Sequence, residues 1–172
     1  MGTGQDVASF HDFFIAVGGG FTALLGLLFV AFTLRWEAIR DDPRLRFPAI
    51  GSTQALVLGV MASLLVVLPN QPRAAVGWEL IGLSLVFALA SGREVIRVLQ
   101  ARPLPPTVWT RIMSAPLVTF VGCAAGASLI VGQGPGLYIE AILFVSAFPV
   151  VAWNAWEAIW PPPSYRRTRK PH

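Results

Sequence analysis

Residues 13–34 read FFIAVGGGFTALLGLLFVAFTL, and this stretch decides the fold of the chain. It contains 22 residues and no charged side chain. At a rise of about 1.5 Å per residue, an α-helix of this length spans about 33 Å, which is enough to cross the hydrocarbon core of a bilayer. Such a helix is apolar on every side, so it has no face to turn towards water. The stretch therefore predicts a transmembrane helix.

The composition of the whole chain agrees with this interpretation. Of its 172 residues, 55% are hydrophobic and 13% are charged, whereas soluble domains carry about 25% charged residues. The mean hydropathy is +0.63. The 13 basic residues stand in short clusters between apolar segments. This pattern is typical of membrane proteins and does not favour nucleic acid as a partner.

Four further apolar segments follow the first. The sequence predicts five transmembrane helices, at about residues 13–36, 49–68, 74–99, 112–131 and 137–160. Between them lie a charged loop (35–47), a turn PNQP (69–72), a proline-rich linker (101–111) and a tight turn GQGPG (132–136). Pro116 is expected in the first turns of the fourth helix, and Pro149 at a kink in the fifth. We therefore expect an all-α integral membrane bundle over residues 1–163, followed by a basic tail over 164–172.

The basic residues predict the orientation of this bundle. Four Lys or Arg residues belong to the first loop, four surround the linker between the third and fourth helices, and four lie in the tail. Arg73 is the single basic residue on the other side. Because positive charges are retained in the cytoplasm, the sequence predicts an outer N-terminus and a cytoplasmic C-terminus. The expected location is the inner (cytoplasmic) membrane, with several passes.

Small residues recur at four-residue spacing in the first four predicted helices, and in lipid such residues let helices approach closely. The candidate packing positions are Gly19, Ala23, Gly26, Gly51, Ala55, Gly59, Gly122 and Gly126. One interpretation is that they pack the five helices of one copy together. The other is that one stripe, in the first or second helix, faces a second copy and makes the protein a homo-oligomer.

Ionisable groups near the membrane are the places where a function is most readily sought. On the outer side these are His11, Asp12, Glu79 and Glu140, each at or near the start of a predicted helix. If the four groups converge, they form an outer vestibule that collects cations or binds a metal. Alternatively, each is a solvated helix end, where an acidic group suits the positive end of the helix dipole.

On the inner side, a candidate ion-pair cluster comprises Arg35, Glu37, Arg93, Glu94, Arg97 and Glu157. Such pairs fix helices against each other and against lipid headgroups. The alternative is a cytoplasmic gate or a site for an anionic lipid. At mid-membrane depth the predicted helices carry polar side chains but no charge. Hydroxyls there are expected to bond their own backbone, and Gln54 and Asn154 to find partners on other helices.

The sequence lacks the residues that several kinds of cofactor-binding site require. His11 and His172 lie at opposite ends of the chain, which excludes a bis-histidine haem within one copy. Cys123 is the single cysteine and no histidine cluster accompanies it, so no zinc site is predicted. The sequence holds no phosphate-binding glycine motif. We therefore expect no cofactor, no catalytic residues and no enzymatic activity.

The segments FFIAV, FTALLGLLFVAF and LPNQPRA follow one another between about residues 10 and 82. In this order they resemble a group of small bacterial multispan membrane proteins of uncharacterised function. In that group an aromatic pair precedes small residues and a G-L-x-F-V-A segment. The matching positions here are Phe13, Phe14, Gly26, Leu27, Phe29, Val30 and Ala31. The resemblance implies a membrane fold and brings no catalytic residues.

Two functional hypotheses follow from these patterns. The first is a non-catalytic structural or regulatory module that lies in the lipid bilayer and packs against copies of itself or against another membrane protein. The second is a homo-oligomeric ion channel or small transporter with an acidic outer vestibule. Five helices are too few for an obvious central water path, so conduction would require assembly of several copies.

Overall fold

The computed structural model describes residues 7–41, 43–100 and 106–159, and nearly all of them are helical. A 3₁₀ turn, Val7–Phe10, leads into α1 (His11–Leu34). The helices that follow are α2 (Trp36–Asp41), α3 (Pro43–Val67), α4 (Arg73–Gln100), α5 (Pro106–Val131) and α6 (Gly136–Ile159). The predicted basic tail lies outside the described residues, as does the first half of the proline-rich linker.

Five of these helices are long and apolar enough to cross a membrane, which confirms the all-helical prediction and the number of apolar segments. The qualifying stretches are His11–Leu34, Ala49–Val67, Arg73–Ile96, Ile112–Val131 and Gly136–Asn154. They agree with the predicted segments to within a few residues. The structure is thus consistent with a multi-pass membrane protein.

The five long helices form a single bundle in which each packs against the next one along the chain. Helix α6 then returns to contact both α1 and α3, which closes the bundle. The centre is apolar and rich in aromatic rings. Phe144 of α6 lies edge-on to Phe14 and Phe21 of α1, with ring centroids 5.9 and 5.4 Å apart, and Phe148 stacks on Phe21 at 4.5 Å.

Glycines set the closest helix contacts. A Cβ atom on Gly77 of α4 would lie 2.6 Å from the carbonyl oxygen of Gly126 on α5, and a Cβ on Gly126 would lie 2.5 Å from the carbonyl oxygen of Gly77. Gly122 faces Ser84 across the same pair of helices, and Gly59 of α3 lies against the ring of Phe21. Side chains larger than hydrogen would therefore push these helices apart.

The charged loop predicted at 35–47 is wrong in part, because the structure forms the short helix α2 there and begins α3 at Pro43. Ile39 of α2 is 4% exposed and packs with Leu45, Ala49 and Phe32. Two buried apolar side chains of this segment, Ile39 and Leu45, thus pack together among charged neighbours. Two such residues leave almost no periodic signal in the sequence.

The fourth apolar helix also begins earlier than predicted. Helix α5 starts at Pro106, which places Pro116 in the helix interior and not in its first turns. Proline is favourable at the first helical position because its missing N–H group has no helical acceptor there. The second half of the linker predicted at 101–111 therefore belongs to α5.

The predicted turn at GQGPG is confirmed. Gly132 and Gly134 have φ values of 72° and 87°, in the left-handed region that favours glycine. The amide of Gly132 donates to the carbonyl oxygen of Leu129, and that of Gln133 donates to the carbonyl oxygen of Ser128. This pair of bonds is a Schellman motif, which ends α5 and reverses the chain into α6.

Candidate functional site

The acidic residues singled out in the sequence lie at one end of the bundle. Helices α1, α4 and α6 begin at this end, which we call the acidic end; α3 and α5 finish there. The contact between Phe10 and Tyr138, with ring centroids 4.8 Å apart, aligns the starts of α1 and α6. The contacts of Gly77 with Gly126 and of Gly136 with Ala125 bring α4 to the same level.

Glu140 is the buried residue of this set. It is 5% exposed and lies on the same face of α6 as Leu137 and Phe144, which belong to the apolar core. Its carboxyl oxygen Oε2 is buried and has no hydrogen-bond partner. A buried polar group without a partner is uncommon in native proteins and requires an explanation such as a bound water or ion.

Glu79 of α4 is half-buried and has one polar partner. The amide Nε2 of Gln71 donates a hydrogen bond of 2.7 Å to its Oε1 atom. The preceding residue, Asn70, has a φ of 59° and shapes the turn that carries Gln71. Oε2 of Glu79 and Oε1 of Gln71 remain buried without a partner. Sequence reasoning missed Gln71, although its place in the PNQP turn before α4 was a signal.

Ser63 adds another buried oxygen at the acidic end. It stands four residues before the end of α3, is 2% exposed, and its Oγ atom has no hydrogen-bond partner. The side chain faces α1 at Gly18, where a Cβ atom would lie 2.9 Å from the Cβ of Ser63 and 3.4 Å from its Oγ. Sequence reasoning gave Ser63 no functional role.

His11 and Asp12 do not join these buried groups. Both side chains are exposed, and Nδ1 of His11 lies 3.4 Å from Oδ1 of Asp12. Glu79 and Glu140 share a level but stand on α4 and α6, with α3 and α5 between them in the bundle. The structure therefore places all four predicted residues at one end, with Glu140 inside the core, Glu79 at its edge and the other two outside.

The predicted inner cluster lies at the opposite end, which we call the basic end. Arg35 and Glu94 are half-buried there, whereas Glu37 and Arg93 are exposed. The side chains of Arg97 and Glu157 lie outside the described part of the chain. The proposed row of Arg and Glu pairs thus stays a prediction.

Two polar bonds between helices confirm the expectation for Gln54 and Asn154. The amide Nδ2 of Asn154 on α6 donates to Oγ of Ser52 on α3 over 3.1 Å. Oγ of Ser91 on α4 donates to Oε1 of Gln54 on α3 over 3.4 Å. Both bonds join α3 to a neighbouring helix, in the half of the bundle nearer the basic end.

Exposed hydroxyls on the helix surfaces bond their own backbone, as predicted, but the same prediction is wrong for the buried Ser63, whose Oγ atom has no partner. Thr22, Thr33 and Ser146 donate to carbonyl oxygens three or four residues earlier, with distances of 2.8 Å in each case. These hydroxyls therefore need no water.

The predicted packing residues divide into two groups. Gly59, Gly122 and Gly126 lie in the tight helix contacts described above, and Ala55 is half-buried beside the core. Gly19, Gly26 and Gly51 are exposed and have no atom within 4 Å of an added Cβ, and Ala23 is exposed as well. We call the exposed set Gly19, Ala23 and Gly26 the α1 stripe. Its neighbours Gly18 and Gly20 face inwards, to Ser63 and Phe148.

Within the described ranges, no group of three or more His, Cys, Asp or Glu side chains is placed to hold a metal ion. Comparison with protein-family models, with curated proteins and with solved structures finds no match to this chain. Its function must therefore be inferred from its own residues.

Proposed function

We propose that the chain is a multi-pass protein of the cytoplasmic membrane, with its acidic end outside and its basic end in the cytoplasm. The lateral surface supports this proposal, because large apolar side chains such as Leu27, Val86 and Phe120 are more than half exposed along the helices. Water would disfavour such a surface, whereas lipid accepts it. The hydroxyls of Thr22, Thr33 and Ser146 on that surface donate to their own helix backbone, so they lose no hydrogen bond when lipid surrounds them.

Cysteine accessibility tests the orientation. In a Cys123→Ala background, one variant carries Gln133→Cys in the α5–α6 turn and another carries Glu37→Cys in α2; both positions are exposed. We expect a membrane-impermeant maleimide to label Gln133→Cys on intact cells, and Glu37→Cys after the membrane is opened. Labelling of both positions from the same side would contradict the proposed threading.

Within the membrane, we propose a non-catalytic structural or regulatory module that associates with a second copy through the α1 stripe. The observation that carries this proposal is the division of the three consecutive glycines. Gly18 and Gly20 are used by contacts within the bundle, whereas Gly19 faces outwards in line with Ala23 and Gly26. In lipid, an outward stripe of small residues allows another helix to approach closely.

Oligomeric state tests this association, and the chain offers a matched control. Gly82 of α4 is also exposed, with no atom within 4 Å of an added Cβ. We expect native mass spectrometry from nanodiscs to show a dimer for the wild type and for Gly82→Leu, and a monomer for Gly19→Leu and Gly26→Leu. A wild-type monomer, or equal effects of all three leucines, would contradict association through the α1 stripe.

The second candidate function is ion conduction or transport by several copies. The buried carboxyl of Glu140 favours it, because ionisable groups inside membrane bundles often belong to ion pathways. The rings of Phe14, Phe21, Phe144 and Phe148 fill the middle of one copy, so conduction would require the assembly of several copies. Flux in proteoliposomes that depends on the ion and is altered by Glu140→Gln would support this candidate; no flux for several cations would contradict it.

A further inference from the structure

We propose that Glu140 and Ser63 form a buried binding site for one monovalent cation, a proton or an alkali-metal ion, at the junction of α1, α3 and α6. Each copy of the chain holds its own cation, so the site requires neither a dimer nor ion flux across the membrane. The inference goes beyond the proposed self-association.

The first ground is the position of the Glu140 carboxyl group. Its side chain is 5% exposed, and Oε2 is buried with no hydrogen-bond partner. The neighbouring positions on the same face of α6 are Leu137 and Phe144, both in the apolar core. An isolated negative charge in such surroundings is strongly disfavoured unless a positive charge or a proton compensates it.

The second ground is that the surrounding helices supply no such compensation. In their halves at the acidic end, α3 carries no ionisable group between Ala49 and Val67, and α5 carries only Cys123. Helix α1 contributes the exposed His11 and Asp12 at its tip. Helix α4 contributes Glu79, a second acid, and Arg73, which forms no ion pair with either glutamate in the described structure. No residue that the structure describes in these helices supplies the positive charge, so we infer that a bound species supplies it.

The third ground is an independent oxygen on a different helix. Oγ of Ser63 is buried and unpartnered, and α3 packs directly on both α1 and α6. Ser63 faces Gly18, and the core rings of Phe14 and Phe21 stand one turn to either side of that glycine on α1. Phe144, one turn from Glu140, contacts both rings. Ser63 thus lies level with Phe144, and Glu140 stands one turn nearer the acidic end, from which its side chain has to reach the three-helix junction.

The chemistry of the unpartnered atoms identifies the class of ligand. A carboxylate oxygen accepts and cannot donate, and a hydroxyl oxygen has lone pairs for a cation or a proton. A water molecule could hydrogen-bond to both but would leave the charge uncompensated. One carboxylate balances one positive charge, and the described residues include no three-ligand group for a divalent metal. A monovalent cation meets these conditions.

Glycine at position 18 is the feature that leaves room beside Ser63. A methyl group there would press on the Cβ of Ser63 at 2.9 Å and lie 3.4 Å from its hydroxyl. We therefore expect Gly18→Ala to weaken occupancy of the site, as Ser63→Ala does, while leaving the carboxyl in place.

Two measurements on the full chain in nanodiscs test the site. Infrared spectroscopy detects a bound proton as the C=O stretch of a buried carboxylic acid, which shifts in D₂O. Thermal unfolding at constant ionic strength, in NaCl or LiCl against choline chloride, detects an alkali-metal ion as a rise in the unfolding temperature. Glu140→Gln should abolish whichever signal the wild type gives, Ser63→Ala should shift or reduce it, and Glu79→Gln, a carboxyl at the same level, should keep it.

If Glu140→Gln fails to fold, the wild type and Glu79→Gln decide the matter together, because Glu79→Gln removes the other carboxyl at this level. A buried carboxylic acid band that sodium does not alter identifies the cation as a proton. A stabilisation by sodium or lithium over choline identifies it as an alkali-metal ion. Absence of both signals, or a signal that persists in Glu140→Gln, overturns the proposal.

Discussion

Replacement of Gly77 by alanine probes how closely α4 and α5 approach. The new Cβ atom would lie 2.6 Å from the carbonyl oxygen of Gly126, 2.8 Å from Cγ1 of Ile130 and 3.2 Å from the amide nitrogen of Ile130. Two of these three atoms belong to the backbone of α5, so a side-chain rotation cannot relieve the overlap. The helices must separate by roughly 1 Å, and we expect a loss of about 1–3 kcal/mol in the free energy of unfolding, as in other overpacked interiors.

Gly82→Ala is the matched control for this prediction. Gly82 lies five residues further along the same helix and meets no atom within 4 Å of an added Cβ. Alanine there should be neutral or stabilise by up to about 1 kcal/mol, because it favours the helix over glycine. Reversible unfolding in mixed detergent micelles, followed by circular dichroism, gives both values. Equal stabilities of Gly77→Ala and Gly82→Ala would refute the close α4–α5 contact.

Two further substitutions test contacts elsewhere in the bundle. Asn154→Ala removes the donor to Ser52. The free energy of unfolding should fall by about 0.6–2 kcal/mol, since hydrogen bonds between membrane helices contribute about that much. An unchanged unfolding curve would contradict a hydrogen bond between α3 and α6 at this position. Ile39→Ala removes the buried side chain of α2. The free energy of unfolding should fall by about 2 kcal/mol or more, and proteolysis within Trp36–Asp41 should become faster. A cleavage rate equal to that of the wild type would show that Ile39 does not hold α2 against the bundle.

The sequence was sufficient for the five long helices because an uncharged run of some 20 residues has few other structures open to it. It did not predict how each helix is rotated about its own axis, and therefore which residues face the interior of the bundle. Gly18, Gly19 and Gly20 point to α3, outwards and to α6 in turn, and a regular spacing of small residues does not tell which of these directions is inside.

The same limit applies to the acidic residues. The sequence placed Glu79 and Glu140 near the starts of their helices, but burial of Glu140 depends on the face that α6 turns to α1 and α3. Sequence reasoning gave Ser63 no functional role because an isolated serine in an apolar helix usually bonds its own backbone. Its unpartnered hydroxyl emerges from a contact with Gly18, which lies 45 positions earlier in the chain.

Spin labels at exposed positions in the middle of the helices test most directly that lipid surrounds the bundle. In the Cys123→Ala protein, reconstituted in bilayers, labels at Leu27, Val86 and Phe120 should be reached by oxygen and shielded from a water-soluble nickel complex. A label at Gln133 should show the opposite preference. If the nickel complex reaches the three helix positions as readily as it reaches Gln133, the chain does not cross a membrane in the way proposed.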